Sequence, residues 1–138
     1  MTEEDVRAWL QADIPERAFA RAFGRFWEPR ALPPEVRRRQ RGACYRNALV
    51  LTTKRSSSRY VEGFAVSRTC PYIVIDHAWV VDLDGAVIDP TWADPKTREV
   101  GLLYFGVPLP LSVLVNLGGR NLYEPAVQTA IRGGGGKQ

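Results

Sequence analysis

The stretch His77-Ala78-Trp79-Val80-Val81-Asp82-Leu83-Asp84-Gly85-Ala86-Val87-Ile88-Asp89-Pro90-Thr91-Trp92 decides how this chain is read. Apolar, mostly β-branched residues flank Asp84-Gly85, which is a hairpin signal. The only histidine of the chain lies on the first strand and Asp89 at the end of the second. Whether the two side chains meet depends on the loop. A two-residue loop, Asp84-Gly85, puts Asp89 opposite Val80 and turns it away from the face of His77 and Trp79. A three-residue loop, Leu83 to Gly85, is a type I turn closed by a left-handed residue, and it moves the register by one. Asp89 then lies opposite Trp79, diagonal to His77 and on its face. The longer loop exposes Leu83, but it gives Gly85 a conformation that glycine adopts without strain. The three-residue loop is therefore preferred.

A histidine held by a carboxylate becomes a catalyst when it faces a nucleophile. The candidate is Cys44, in Arg41-Gly42-Ala43-Cys44-Tyr45-Arg46-Asn47-Ala48. Gly42 opens a helix there, and Cys44, Ala48 and Leu51 share one face with Asn47 beside them. The succession of a cysteine at a helix start, Arg59-Tyr-Val-Glu-Gly-Phe64, His77-Ala-Trp79 and Ile88-Asp-Pro-Thr91 resembles the transglutaminase-like superfamily of papain-like cysteine enzymes, in a small bacterial or phage-type form. The resemblance covers residues 44 to 92, and His-Ala-Trp with Asp-Pro-Thr is its most specific part. It implies a papain-like core, the chain order Cys, His, Asp, and acyl transfer through a thioester. It does not choose between water as acceptor, which makes a peptidase or amidase, and an amine, which makes a transglutaminase or acyltransferase.

At 138 residues, 45% hydrophobic and 25% charged, the chain has the composition of one ordinary globular domain. That domain is expected over residues 1 to 132, with 133 to 138 a flexible glycine-rich tail. No apolar run approaches the ~20 residues that span a bilayer. The acidic start Met-Thr-Glu-Glu-Asp lacks the basic and apolar segments of a signal peptide, so a cytoplasmic location is expected. Cys44 and Cys70 are the only cysteines. A reducing compartment argues against their pairing and leaves Cys70 a spare thiol. One histidine and two distant cysteines lack metal-ligand spacing, and no cofactor is expected.

Charge is unevenly placed. Residues 30 to 60 hold nine Arg or Lys against one acid, Glu35, while the remaining 107 residues are net acidic. Arg37, Arg38, Arg39 and Arg41 form the centre of the basic run, a candidate surface for an acidic partner.

Local signals predict helices from Thr2 to about Ala12 and from Pro15 to about Trp27, with a third stretch following Pro34. Phe19, Phe23, Phe26 and Trp27 are read as core. Strands are predicted at 59 to 67, 72 to 82, 86 to 89 and 102 to 105, and helical segments at 111 to 117 and 125 to 131. Helices packed on a small antiparallel sheet make an α+β domain.

The chemistry follows from the residue types. A helix N-terminus and a nearby imidazolium both favour a thiolate at Cys44. His77 exchanges the proton, and Asp89 orients the ring. The Cys44 amide, with the Gln40 side chain as a second donor, is the candidate for receiving the oxyanion. Asn47, Trp79 and Trp92 are candidate pocket residues, the tryptophans with an equal claim to the core. Glu62, in an apolar strand, is expected to pair with an arginine such as Arg46. The short chain leaves little room for a separate substrate domain, so a small or extended peptide, amide or acyl substrate is expected. The alternative is a non-catalytic module that binds a nucleic acid or other acidic partner through the basic run. In that reading Cys44 is packing, the histidine an interior residue and Asp-Pro-Thr a turn.

Overall fold

Thr2 and Asp5 form a capping box that starts α1 (Glu3–Leu10), and Val6 and Leu10 turn into the core. Pro15 begins α2 (Pro15–Phe23). These coordinates are a computed structural model that describes residues 1–134. The order continues with β1 (Arg25–Phe26), α3 (Cys44–Lys54), β2 (Arg59–Val66), β3 (Ile75–Val81), β4 (Val87–Ile88), β5 (Leu103–Pro108), a short 3-10 turn (Leu111–Val113) and α4 (Pro125–Arg132). The five strands form one antiparallel sheet in the order β1-β5-β2-β3-β4. The chain is an α+β protein.

The sheet curls until its edges meet. Glu28 bridges to Ala86 in parallel fashion, donating to the Gly85 carbonyl at 3.3 Å and accepting from the Val87 amide at 2.9 Å. This contact covers polar groups that the edge strand would otherwise expose. The inner face carries Val61, Trp79 and Tyr104, all fully buried. Gly63 and Gly106 are cross-strand partners there. A Cβ on Gly106 would lie 2.7 Å from both the Glu62 carbonyl and the Trp79 ring, so glycine makes the room that the indole fills.

The hairpin has the three-residue loop. Val80 pairs with Ile88 and Val81 with Val87, which places Asp89 opposite Trp79. Asp82 closes the loop: its amide donates to the Ala86 carbonyl and its carboxylate accepts from the Asp84 and Ala86 amides. Gly85 has φ +81°. Leu83 is exposed, as that loop requires.

Several element boundaries differ from the local prediction. The second helix stops at Phe23, and Arg25-Phe26 becomes a strand beside β5. Trp27 follows this strand, its amide donating to the Tyr104 carbonyl and its indole N–H to that of Gly106. Helical spacing of the aromatics is here overridden by pairing with a distant strand. After Pro34 there is only a turn, held by Arg98, whose guanidinium donates to the carbonyls of Leu32, Pro33 and Val36. Residues 111 to 117 hold a single 3-10 turn rather than a longer helix. Gly133 and Gly134 form a turn, and the rest of the glycine-rich tail lies outside the described residues.

Candidate active site

Asp89 is fully buried at the end of β4, and all its lone pairs are used in fixed directions. Oδ1 accepts from the amides of Thr91 and Trp92 at 3.0 and 3.2 Å, the local turn that Asp-Pro-Thr favours. Oδ2 accepts from the Tyr104 hydroxyl at 2.7 Å and lies 2.8 Å from His77 Nε2. Burial raises the Asp89 pKa most, yet the charge and hydrogen bond of His77, with the bonds from Tyr104 and Trp92, outweigh it and lower the value. An ionised carboxylate can only accept, so Nε2 carries the proton. Nδ1 is then the ring nitrogen left for a second partner.

His77 is almost fully buried, and Trp92 stacks on it with ring centroids 3.7 Å apart. Burial opposes the charged ring most strongly. The charge of Asp89, its hydrogen bond, and hydrogen bonding and charge from Cys44 overcome that penalty and lift the imidazole to about 9. The ring thus feels the carboxylate it is bonded to and the sulfur of Cys44. The thiol–ring contact is not among the well-aligned hydrogen bonds of the site, whereas the His77–Asp89 bond is. Such contacts are often loose before a substrate binds.

Cys44 is the first residue of α3, half-buried, with Ala43 in the cap position and no side chain satisfying the first-turn amides. Those amides have no intrahelical acceptor, so they remain available to a negative charge at the sulfur or on an attached carbonyl oxygen. Asn47, one turn on, holds this helix to the aspartate segment. Its Nδ2 donates to the Gln40 carbonyl at 2.8 Å and to Thr91 Oγ at 2.9 Å.

These contacts revise some of the expected roles. Asn47 is buried with its amide nitrogen committed to that tie, so it is a brace rather than a pocket wall. Trp79 is completely buried under Tyr104 and Gly106, with its indole N–H unpartnered, and belongs to the core. Trp92 is half-exposed and remains at the site. Gln40 is exposed; its carbonyl is held by Asn47 and its side-chain amide makes no hydrogen bond among the described residues. Arg37, Arg38 and Arg41 are exposed and Arg39 half-buried. Arg38 donates to the Ala93 carbonyl, and the Arg39 amide to that of Pro90. Part of the basic run is thus a strap across the aspartate segment.

Glu62 does not pair with Arg46. Buried in β2, it accepts from the Tyr60 hydroxyl at 2.6 Å, the Asn121 amide at 2.8 Å, Asn121 Nδ2 at 3.1 Å and the Leu122 amide at 2.9 Å. Burial nonetheless pushes its carboxyl upward. Its function is to pin residues 121 and 122 to the sheet.

Tyr104 is the site residue that local reasoning missed. Its hydroxyl accepts from the Gly101 amide at 2.6 Å and donates to Asp89. An aromatic in a short apolar strand carries no signal of that contact, which exists only because the sheet curls. Tyr104→Phe removes one donor from a buried carboxylate and orphans the Gly101 amide. It is expected to cost ~1–3 kcal/mol, read as a lower denaturant midpoint with an unchanged slope.

Among the described residues no group of three or more His, Cys, Asp or Glu could hold a metal ion, and no helix is long and apolar enough to cross a membrane. Set against protein-family models, curated proteins and solved structures, the chain matches none of them.

Proposed function

We propose that the protein is a cysteine-dependent acyl-transfer or amide-hydrolysing enzyme of the transglutaminase-like, papain-like kind, working through Cys44, His77 and Asp89. The observation that carries this reading is the buried His77–Asp89 pair, held through Nε2, with Cys44 acting on the same ring from an uncapped helix start. A buried imidazole that a carboxylate keeps charged is costly unless it has something to do.

In the reaction, the Cys44 sulfur, as thiolate, attacks the carbonyl carbon of the acyl donor. The carbonyl electron pair moves onto oxygen, where the first-turn amides of α3, and the Gln40 side chain as second donor, receive it. The intermediate collapses by breaking the bond to the leaving amine, which takes the proton from His77 Nδ1. This leaves a thioester on Cys44 and a neutral ring. An acceptor, water or an amine, gives its proton to Nδ1 as it attacks the thioester. The carbon–sulfur bond breaks, releasing the acyl product and restoring the thiolate–imidazolium pair. Asp89 remains ionised throughout and fixes the ring.

The direct test is alkylation with a low concentration of iodoacetamide near neutral pH, followed by mass spectrometry. Selective modification of Cys44 over the exposed Cys70 is the expected outcome. Equal modification of the two would end the proposal. Acyl transfer, in which the leaving amine takes its proton from His77, should also fall as pH rises through about 9, where the ring loses that proton; turnover still climbing above that pH is the contrary result.

A second reading has one observation in its favour, the exposure of Arg37, Arg38 and Arg41. A non-catalytic module using this surface would bind nucleic acid with a steep loss of affinity in salt. It would leave Cys44 as unreactive as an ordinary thiol.

A further inference from the structure

The basic run before the cysteine helix is not one uniform surface. Arg38 is tied to the Ala93 carbonyl and Arg39 holds Pro90 through its backbone. Arg41 is exposed and makes neither a salt bridge nor a side-chain hydrogen bond among the described residues. It stands three residues before Cys44, so the two Cα atoms are at most about 11 Å apart. A long flexible guanidinium at that distance can reach a group bonded to the sulfur.

Arg41 also borders a hollow of about 60 Å³ shared with Trp92, Ser67 and Thr69. Trp92 is also the residue stacked on the imidazole of His77, so the hollow and the proposed reacting centre share that indole as a wall. The hollow opens to solvent and has room for a carboxylate. Two acids lie on its rim. Glu99 is paired with Arg68 at 3.4 Å, and Asp94 uses Oδ1 to accept from the amides of Lys96 and Thr97. Asp94 keeps its own negative charge, and Arg41 is the guanidinium of this lining that no carboxylate pairs.

Resting on the reading of Cys44 as the nucleophile, we infer that the acyl donor carries a carboxylate a few bonds from its reacting carbonyl. This carboxylate seats against Arg41 in the hollow beside Trp92. A planar guanidinium with paired N–H groups matches it. Arg41 is thus a specificity-determining residue that selects acidic acyl donors.

Iodoacetate and iodoacetamide test this cleanly. They are nearly the same size, lose the same iodide to the same sulfur and differ in the charge next to the new bond. The readout is the ratio of their alkylation rates at Cys44 within each variant, at low ionic strength. The His77 charge favours the anion in every variant and so cancels in the comparison. Arg41→Ala is expected to lower the iodoacetate-to-iodoacetamide ratio about 1.5- to 5-fold, as for an exposed charge pair. Arg41→Glu should lower it further, and Arg41→Lys should keep part of the preference. Lys54→Ala, which removes an equal charge at the far end of α3, should leave the ratio at the wild-type value. The Arg41 effect should shrink as salt is added. A ratio that is the same in wild type, Arg41→Ala and Arg41→Glu overturns the carboxylate site while leaving the nucleophile intact. A wild-type Cys44 that reacts with iodoacetamide no faster than Cys70 overturns the nucleophile, and this inference with it.

Discussion

Replacing His77 with alanine is expected to leave Cys44 no more reactive toward iodoacetamide than Cys70, and to reduce acyl transfer by about 10²–10⁴-fold. The ring supplies two things at once. Its charge favours the thiolate before attack, and its proton leaves with the amine afterward. Alanine removes both and opens a cavity beneath Trp92, which has only the imidazole stacked on that face at 3.7 Å. The variant also leaves the buried Asp89 without its charged partner. Part of the damage is therefore to stability. Far-UV circular dichroism on the same sample separates an unfolded chain from a folded one that has lost its base. A folded variant whose Cys44 still outpaced Cys70 would refute the proposed role of the ring.

Asp89→Asn is expected to be nearly as severe, for a different reason. Asp89 accepts four hydrogen bonds, two on each oxygen. Asparagine has a single acceptor oxygen. The Thr91 and Trp92 amides claim it, so the new NH₂ group faces His77 and Tyr104. The ring can bond to that group only by accepting at Nε2, which moves its proton to Nδ1 on the side of Cys44. A neutral ring in that form cannot take a proton from the thiol. Turnover at neutral pH should fall by about 10⁴-fold, the size seen when an orienting carboxylate of this kind is neutralised. Breaking a buried ion pair should also cost ~3–5 kcal/mol of stability.

The pH dependence of stability provides a companion measurement. The folded pKa of His77 is raised to about 9 from 6.5. Its contribution is fully present below 6.5 and lost as pH rises through about 9. Asp89 is lowered from 3.8, so its contribution is present above that value and lost as pH falls through the folded one. The pair thus supports the fold best between about pH 4 and 6.5. Glu62, raised by burial from 4.5, works in the opposite sense and draws stability down as pH climbs past its ordinary value. Denaturant midpoints across this range should show a decline above neutrality that is much weaker in Asp89→Asn. An identical decline in that variant would show that the His77–Asp89 pair is not its source.

Short-range chemistry in the sequence was enough for the hairpin. Gly85 accepts φ +81° and Asp82 caps the loop with its own carboxylate, so residues within a few positions of one another determine that His77 and Asp89 share a face. The first helix is likewise local, because the Thr2–Asp5 capping box needs no distant partner. The tertiary structure decided what depends on the curl of the sheet. Arg25 and Phe26 left a helical pattern to pair with β5, since a ladder of two residue pairs and the Trp27 indole bond to Gly106 outweigh a weak propensity. Tyr104 reaches Asp89 from a strand fifteen residues away. Asn47 reaches Thr91 across 44 residues, and Glu62 reaches Asn121 across 59. No local pattern encodes such bonds, because their geometry exists only after the sheet has closed and excluded the water that would otherwise satisfy those groups.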